Sequence, residues 1–467
     1  MKKDKYNLSK EELRKHNRKK AQKQAYTLMA VVIVAVVALL GLGGLGIYKL
    51  VHRNVEPEPV VEENTEPVVI ETPEVVEEPK IEETISEDTV SEDTVAEDTV
   101  AEETTELSDE ERLAALDATI DTYISNMTLE QKVAGLFFVT PGQLTNDNHL
   151  TVAGSKVNEA LNNYPVGGLL LDENNMENDS QLSELIFNLK AFSSNNIFIA
   201  VEEHGGSDSP FVKSGISEGV ITSPKEIAES GDNSGAYTTG IAIGTLLNRY
   251  GFDTVFGPVA DIAYSENGYT SGQSYGSDPE TVRGMVRNAI HGQEDQGIRT
   301  AIQYFPGYGD ITSSPSGTRP VSSRTADDIK KKEYPIYKDA INSGADFIMV
   351  SQIAYKPITT DVPACLSSSV VTDMLRNDLG YDGVILTDYM NTNSLIQHYK
   401  HADAAVMAIK AGCDMLVSPG NFQKAYNGIL DAVNSGEITE ERIDESIRRI
   451  YRVKYASAVN YSTMESQ

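Results

Sequence analysis

Gly383-Val384-Ile385-Leu386-Thr387-Asp388 is a short apolar, β-branched run that begins after a glycine and ends in a carboxylate. A run of this length and composition predicts a strand buried on both faces, as the strands of a parallel sheet are. Helix-like stretches precede and follow it, which is the alternation that α/β folds show. Asp388 therefore falls where such a strand ends.

Seven other apolar runs repeat this pattern along the chain. The eight runs are Leu136–Val139, Gly168–Leu171, Ile197–Val201, Thr254–Phe256, Thr300–Gln303, Phe347–Val350, Val384–Thr387 and Met415–Val417. Helical patterns lie between most of them, at Ser180–Phe192, Pro279–Gln296, Ala326–Asn342, Ser368–Asn377 and Ala402–Ala411. Eight strand–helix units in about 350 residues predict an α/β fold, a (β/α)₈ barrel of the TIM type.

The start of the barrel domain is marked by a helix-capping pattern. Ser108-Asp109-Glu110-Glu111 has the serine and the glutamate three residues later that form a capping box, and Thr128 and Gln131 repeat the pattern. We place the barrel domain at residues 108–467.

The sequence before the barrel predicts a membrane anchor. Residues 1–25 carry ten lysines and arginines against three acidic residues, and Tyr26–Tyr48 is 23 residues without a charge. At about 1.5 Å per residue this run spans roughly 34 Å, enough for one transmembrane helix. The basic flank places residues 1–25 in the cytoplasm and the barrel outside the cell. A cleaved signal peptide is the alternative, but Ile47-Tyr48-Lys49-Leu50-Val51 does not resemble a cleavage site.

Residues 49–107 have the composition of a spacer. They are rich in Glu, Pro, Thr and Val and contain the repeat Ser86-Glu87-Asp88-Thr89-Val90 with two close copies after it. Such a segment buries too little apolar surface to offset the entropy of ordering it, so we predict a disordered acidic linker. The chain has a formal net charge of −31, which excludes nucleic acid as a partner class.

In a TIM-type barrel the functional residues follow the carboxyl ends of the strands. The residues at these positions are Asp172, Glu202, Glu203, His204, Asp261, Tyr304, Ser351, Gln352, Asp388 and Ser418. Carboxylates predominate, and we infer neither a metal site nor an organic cofactor. The two cysteines, Cys365 and Cys413, lie in apolar surroundings and are expected to be buried rather than joined in a disulfide.

Several segments, taken in order, resemble the family 3 glycoside hydrolases, specifically the single-barrel β-N-acetylhexosaminidase branch. The similar segments are Met127–Val133, Tyr164–Leu171, Gly257–Ile262, Ser274–Pro279, Pro363–Ser367 and Leu375–Asp388. The resemblance implies cleavage of β-linked N-acetylglucosamine with retention of configuration. It also implies that Asp388 is the nucleophile that forms a glycosyl-enzyme intermediate.

Other catalytic positions of the family are changed in this chain. The family's Lys-His-Phe-Pro-Gly-His-Gly loop reads Gln303-Tyr304-Phe305-Pro306-Gly307-Tyr308-Gly309. Ser314 and Ser316 fall where an ungapped continuation puts the Asp and His of the acid/base dyad, and Gln273 replaces a sugar-binding arginine. Glu202 replaces an aspartate that binds the sugar.

No serine can supply the proton that an imidazole would. We therefore predict Asp310, on the same loop, as the acid/base, with Glu203 and His204 as the other candidates. Glu202, Gln273, Gln303, Tyr304 and Tyr308 are the predicted substrate-binding residues.

The sequence thus predicts a membrane-anchored extracellular glycosidase that acts on N-acetylglucosamine-containing glycans of the cell envelope, peptidoglycan among them. The alternative is a barrel that binds glycan without cleaving it. A third possibility is a structural or regulatory partner of a cell-wall machine.

Overall fold

The structure, a computed structural model, describes residues 108–217 and 219–460. The predicted basic tail (1–25), transmembrane helix (26–48) and linker (49–107) lie outside these residues. Within residues 108–217 and 219–460, no helix is both long and apolar enough to cross a membrane.

Eight parallel strands form one sheet that closes on itself. In chain order, together with two short strands that pair outside it, the strands are β1 (Phe137–Val139), β2 (Gly168–Leu171), β3 (Phe198–Glu202), β4 (Thr254–Val259), β5 (Arg299–Phe305), β6 (Val321–Ser322), β7 (Phe347–Val350), β8 (Ala354–Tyr355), β9 (Val384–Thr387) and β10 (Leu416–Val417). The sheet order is β10-β1-β2-β3-β4-β5-β7-β9, and a parallel bridge between Leu386 and Met415 joins its two edges. The predicted barrel is confirmed as an eight-stranded parallel α/β barrel.

Helices connect successive strands of the barrel. The α-helices are Asp109–Ser125, Leu129–Gly135, Pro141–Thr145, Ser155–Asn163, Asp179–Phe192, Pro210–Lys213, Pro224–Ser230, Asn233–Tyr250, Pro279–Glu294, Ala326–Lys332, Tyr334–Asn342, Lys356–Thr359, Asn393–Ile396, His401–Ala411, Phe422–Asn434 and Glu440–Asn460. Short 3₁₀ turns occur at Glu173–Asn175 and Ala364–Leu366, and a π-helix at Ser369–Asp378.

Local sequence accounts for many of the helix ends. The capping boxes predicted at Ser108 and Thr128 are present, each with reciprocal side-chain and backbone hydrogen bonds. The one long helix predicted over Ala326–Asn342 is instead two helices separated at Glu333. Pro335 explains the break, since it has no N–H to continue the hydrogen bonding of the first helix.

Four phenylalanines fill the interior of the barrel. Phe138, Phe198, Phe256 and Phe347 come from β1, β3, β4 and β7, and the ring centroids of their contacting pairs lie 5.2–6.1 Å apart. Arg299 and Lys454 lie over the Phe198 ring. The barrel is therefore a packed core and not a channel.

The last helix, Glu440–Asn460, is held to the barrel by a buried ion cluster. Asp414 is fully buried and lies close to three guanidinium groups, from Arg376, Arg442 and Arg449. Its Oδ2 also accepts the backbone N–H of Ile385 at 3.0 Å. This cluster fixes the edge at which the barrel closes. The two cysteines are buried and free, as predicted.

Candidate active site

Asp388 lies immediately after β9 at the carboxyl ends of the barrel strands. Its backbone N–H donates to the Val350 carbonyl of β7, so the neighbouring strand fixes its position. The carboxylate is held at both oxygens. The Tyr308 hydroxyl donates to Oδ2 at 2.6 Å, and the Tyr389 N–H donates to Oδ1 at 2.7 Å.

The Asp388 carboxylate, when ionised, has no cation partner among the described residues. Its side chain is 5% exposed, and within residues 108–217 and 219–460 it forms no ion pair with a lysine, arginine or histidine. Desolvation raises the pKa of Asp388 to about 7, and the nearby carboxylates of Glu202 and Asp261 act in the same direction, although the two hydrogen bonds oppose them.

The loop after β5 is shaped by a second buried carboxylate, Asp261, which follows β4. Asp261 accepts the Thr270 hydroxyl at 2.7 Å and the Tyr308 N–H at 2.9 Å. Burial raises the pKa of Asp261 to about 6. These bonds hold the Tyr308 backbone where its hydroxyl reaches Asp388, and that hydroxyl in turn accepts the N–H of Gln352 at 2.8 Å. Tyr308 is fully buried and acts on the candidate nucleophile directly.

Glu202, the last residue of β3, collects hydrogen bonds from several strands. Its Oε1 accepts from the Tyr304 hydroxyl at 3.2 Å and from Gln303 Nε2 at 3.4 Å, and lies 3.2 Å from His204 Nε2. Burial favours the neutral acid, but the hydrogen bond and charge of His204, with help from Tyr389 and Gln303, outweigh it and lower the pKa of Glu202.

Tyr389 connects Asp388 to Glu202. Its N–H binds Asp388, and its hydroxyl donates to Glu202 Oε2 at 2.5 Å. No role was predicted for Tyr389 from the sequence. Its place directly after a strand-end carboxylate was the available signal, because that position faces the same end of the barrel.

A cavity of about 1040 Å³ opens next to these residues. Its lining includes Glu202, Tyr304, Tyr389, Gln273 and His204, whereas Asp388 lies against the lining residue Tyr389. A cavity of this size can hold a sugar with part of a second one. The structure therefore brings Glu202, Gln303, Tyr304, Tyr308 and Asp388 into one network and puts Gln273 on the cavity wall.

Asp310 is not brought into this network. Its Oδ2 accepts the Ser322 hydroxyl at 2.6 Å, and its charge acts on Tyr264 and Tyr355, neither of which lines the cavity. The loop turns after Gly309 so that its backbone lies against Ile262 and Tyr264, which carries Asp310 to this side. The geometry gives no support to Asp310 as the acid/base for a sugar bound next to Asp388.

The other two acid/base candidates occupy different environments. Glu203 is buried and accepts from the Gly205 N–H and the Ser209 hydroxyl, so it organises its own loop. His204 lines the cavity, and its Nδ1 is buried without a hydrogen-bond partner. Ser316 is exposed, at the position where the dyad histidine was aligned.

A parallel eight-stranded barrel with a buried carboxylate at a strand end, beside a polar cavity, is the arrangement of a barrel hydrolase. The family model described as "Glycosyl hydrolase family 3 N terminal domain" matches residues 128–453. The chain belongs to glycoside hydrolase family 3.

Individual relatives agree with this assignment at low identity. A beta-hexosaminidase of Nitrosomonas eutropha is 27% identical over 278 residues, which cover 57% of this chain and 79% of the relative. A beta-hexosaminidase of Bordetella avium is 28% identical over 276 residues, covering 57% of this chain and 78% of the relative.

Solved structures show the same fold. A family 3 beta-N-acetylglucosaminidase from a Paenibacillus species superposes with a TM-score of 0.66 at 27% identity, over 72% of this chain and 63% of that one. The chain thus spans less than two thirds of that enzyme. A beta-N-acetylhexosaminidase from Beutenbergia cavernae gives a TM-score of 0.62 at 24% identity, over 70% of this chain and 99% of its own, and supports the fold alone.

Proposed function

We propose that the protein hydrolyses β-linked hexosaminides with retention of configuration. The observation that carries this proposal is the position of Asp388, held at both carboxylate oxygens by Tyr308 and Tyr389 at the carboxyl end of β9. The N-acetylated sugar is proposed from the names of the relatives. Their beta-hexosaminidase designations, with membership of the family, make the chain a glycosidase by class.

The proposed reaction has two displacements. A bond forms between Asp388 and the anomeric carbon while the bond to the leaving oxygen breaks, and the leaving oxygen takes up a proton. Water then attacks the anomeric carbon, releases the Asp388 carboxylate and gives up a proton. Only the ionised carboxylate can attack, so activity should rise with pH through the pKa of Asp388, which is raised to about 7.

The proton that the leaving oxygen takes up needs a donor, and the donor decides between hydrolysis and a second candidate function. The exchangeable protons on the cavity wall belong to groups such as His204, Tyr269, Tyr304 and Tyr389, and Asp310 lies elsewhere. Missing acid/base assistance typically lowers a rate by ~10²–10⁴. This deficit favours the second candidate function, in which the barrel binds glycan without turnover.

The deciding experiment uses the full-length protein with fluorogenic β-N-acetylglucosaminides whose leaving groups have low and high pKa values. Asp388→Ala should reduce turnover by roughly 10⁴-fold or more, as loss of a covalent nucleophile does. Asp310→Asn is the matched carboxylate control and should change turnover less than about twofold, as substitutions away from a site do.

Each outcome points to one function. Turnover that Asp388→Ala abolishes, with a β-configured sugar as the first product by NMR, supports the retaining hydrolase. Turnover of the low-pKa leaving group only would show that no general acid operates. An equal residual signal in wild-type and Asp388→Ala protein, both folded and both binding glycan, would establish the binding function instead.

We further propose, from the sequence, that the barrel is extracellular and anchored through Tyr26–Tyr48, with cell-envelope glycans as substrate. The basic residues before this apolar run and the acidic residues after it support the proposal. Protease added to intact cells should remove the barrel. A barrel that is protected until the cells are lysed would reject this location.

A further inference from the structure

Negative charge accumulates around Asp388 without a matching cation. Glu202 and Asp261 both act on Asp388, and all three are held by strand ends or strand-end loops. His204, beside Glu202, is the single group among these neighbours that could carry a positive charge. Buried carboxylates are normally paired, because an isolated buried charge is costly. Asp414 at the closing edge of the barrel, with three arginines, shows this usual arrangement in the same molecule.

A neutral side chain, Gln303, occupies a position at which a lysine or arginine would neutralise Glu202. Gln303 contacts Glu202 and the Tyr304 hydroxyl through Nε2, so a cation at this position would lie beside Glu202. The Gln303 side chain is fully buried, and its Oε1 has no hydrogen-bond partner. Gln303 does not line the cavity, but Glu202 and Tyr304, which it contacts, do, so a ligand that brings hydrogen-bond donors would meet this network at Glu202.

The lining of the cavity as a whole has the same charge bias. Of the residues lining it, six are acidic and two are lysines: Asp172, Glu173, Glu202, Asp208, Glu226 and Glu229 against Lys213 and Lys225. Both lysines already have acidic neighbours, Asp208 at 3.4 Å and Glu229 at 4.0 Å. The remaining carboxylates make the approach to Asp388 negative, which attracts a cationic ligand.

We propose that, among β-linked hexosaminides, the protein prefers a 2-amino sugar whose amine is unacetylated and protonated over the N-acetylated sugar that the relatives' names suggest. The proposal rests on the proposed function, because it takes Asp388 as the group that meets the anomeric carbon. The amine of such a sugar is on the carbon next to the anomeric centre, so it would lie close to the Asp388 carboxylate. It supplies the missing positive charge and up to three hydrogen-bond donors.

The reaction of a charged amino sugar also requires negative charge near the anomeric carbon. The transition state at the anomeric carbon has oxocarbenium character. An ammonium group next to that carbon opposes the developing positive charge, which makes charged amino sugars poor substrates in a neutral site. The carboxylates of Asp388, Glu202 and Asp261, when ionised, counter this effect, because electrostatic interactions are strong in a buried site.

The test compares three 4-nitrophenyl β-glycosides with the full-length protein: the glucosaminide, the N-acetylglucosaminide and the glucoside. We expect kcat/KM for the glucosaminide to exceed that for the N-acetylglucosaminide by at least about tenfold, as charge-assisted contacts allow. Gln303→Lys should reduce this ratio about tenfold or more, because it puts a cation beside Glu202. Gln397→Lys adds the same charge at an exposed position and should leave the ratio unchanged.

Gln273→Arg, on the cavity wall, provides a second charge variant should Gln303→Lys not fold. A ratio at or below one in the wild type, or a ratio that neither charge variant changes, would overturn the amine preference while leaving hydrolysis intact. If none of the glycosides is cleaved, the proposed hydrolysis fails, and calorimetry with glucosamine and N-acetylglucosamine decides the preference. Tighter binding of glucosamine would support it, and equal or weaker binding would reject it.

Discussion

Two buried aspartates at the closing edge of the barrel differ in the charge of the groups around them. Asp414, which precedes β10, lies among three arginines and a serine hydroxyl. Asp388, which follows the neighbouring strand β9, has two neutral donors and two carboxylate neighbours, and no cation among the residues that the structure describes pairs with it. The same residue type is thus paired with cations where it holds the fold together, and it has no cation partner among the described residues where it lies behind the cavity-lining Tyr389. Pairing with cations therefore distinguishes Asp414, which stabilises the fold, from Asp388, the candidate nucleophile.

The largest expected effect is on stability, at Asp414. Asp414→Asn removes the buried negative charge beside three buried or half-buried arginines, so the free energy of unfolding should fall by about 3–5 kcal/mol. Urea denaturation of the full-length protein measures it. Asp382→Asn is the matched control, because exposed Asp382 pairs with Arg449 and Arg452 and should cost less than about 1 kcal/mol. Equal losses in both variants would remove the distinction between the two aspartates.

Asp388→Asn should change stability in the other direction. The folded-state pKa of Asp388 is raised from its ordinary value of 3.8 to about 7. Between these values the unfolded chain loses its proton first, so Asp388 makes the wild type less stable as pH rises from about 4 to about 7. The Asn variant should therefore be more stable than wild type by roughly 4 kcal/mol at pH 8, and by less than about 1 kcal/mol at pH 4.

The difference between wild type and Asp388→Asn isolates this residue from Asp261, which titrates in the same range. Denaturation curves at several pH values provide the measurement. A stability difference that does not vary with pH would contradict the raised pKa of Asp388.

A smaller effect is expected at Tyr308. Tyr308→Phe removes the hydroxyl that donates to Asp388, so the pKa of Asp388 should rise further. The rise of kcat/KM with pH should then move by about one pH unit toward alkaline pH, the scale of one charge-assisted hydrogen bond. Tyr337→Phe removes another buried hydroxyl, one without a hydrogen-bond partner, and should leave the pH profile in place. Identical profiles in all three proteins would show that Tyr308 does not control Asp388.

The sequence was sufficient for the architecture because buried parallel strands are short, apolar and regularly spaced. Each of the eight predicted runs overlaps a barrel strand, and Val384–Thr387 matches β9 residue for residue. The small β6 and β8 strands were missed, since two residues carry no periodicity. The break at Glu333 was missed because the helical pattern continues through it, although Pro335 was visible.

The site was less predictable, because its contacts join residues far apart in the chain. The position of Asp388 followed from strand order alone. The links from Tyr389 to Glu202 and from Tyr308 to Asp388 depend on barrel closure and on the course of the β5 loop. Asp310 was predicted from its place on that loop, but the turn after Gly309 directs it toward Ser322. A loop position in the sequence does not specify on which side of the loop a carboxylate lies.

The phenylalanine layer inside the barrel has a kinetic consequence. Because Phe138, Phe198, Phe256 and Phe347 fill the barrel interior, substrate and products cannot pass along the barrel axis and must enter and leave on the cavity side. In a two-step displacement the leaving group must depart from the cavity before water can enter and attack the anomeric carbon. Release of the departing group from the cavity, and not only the chemistry at Asp388, then contributes to the turnover rate.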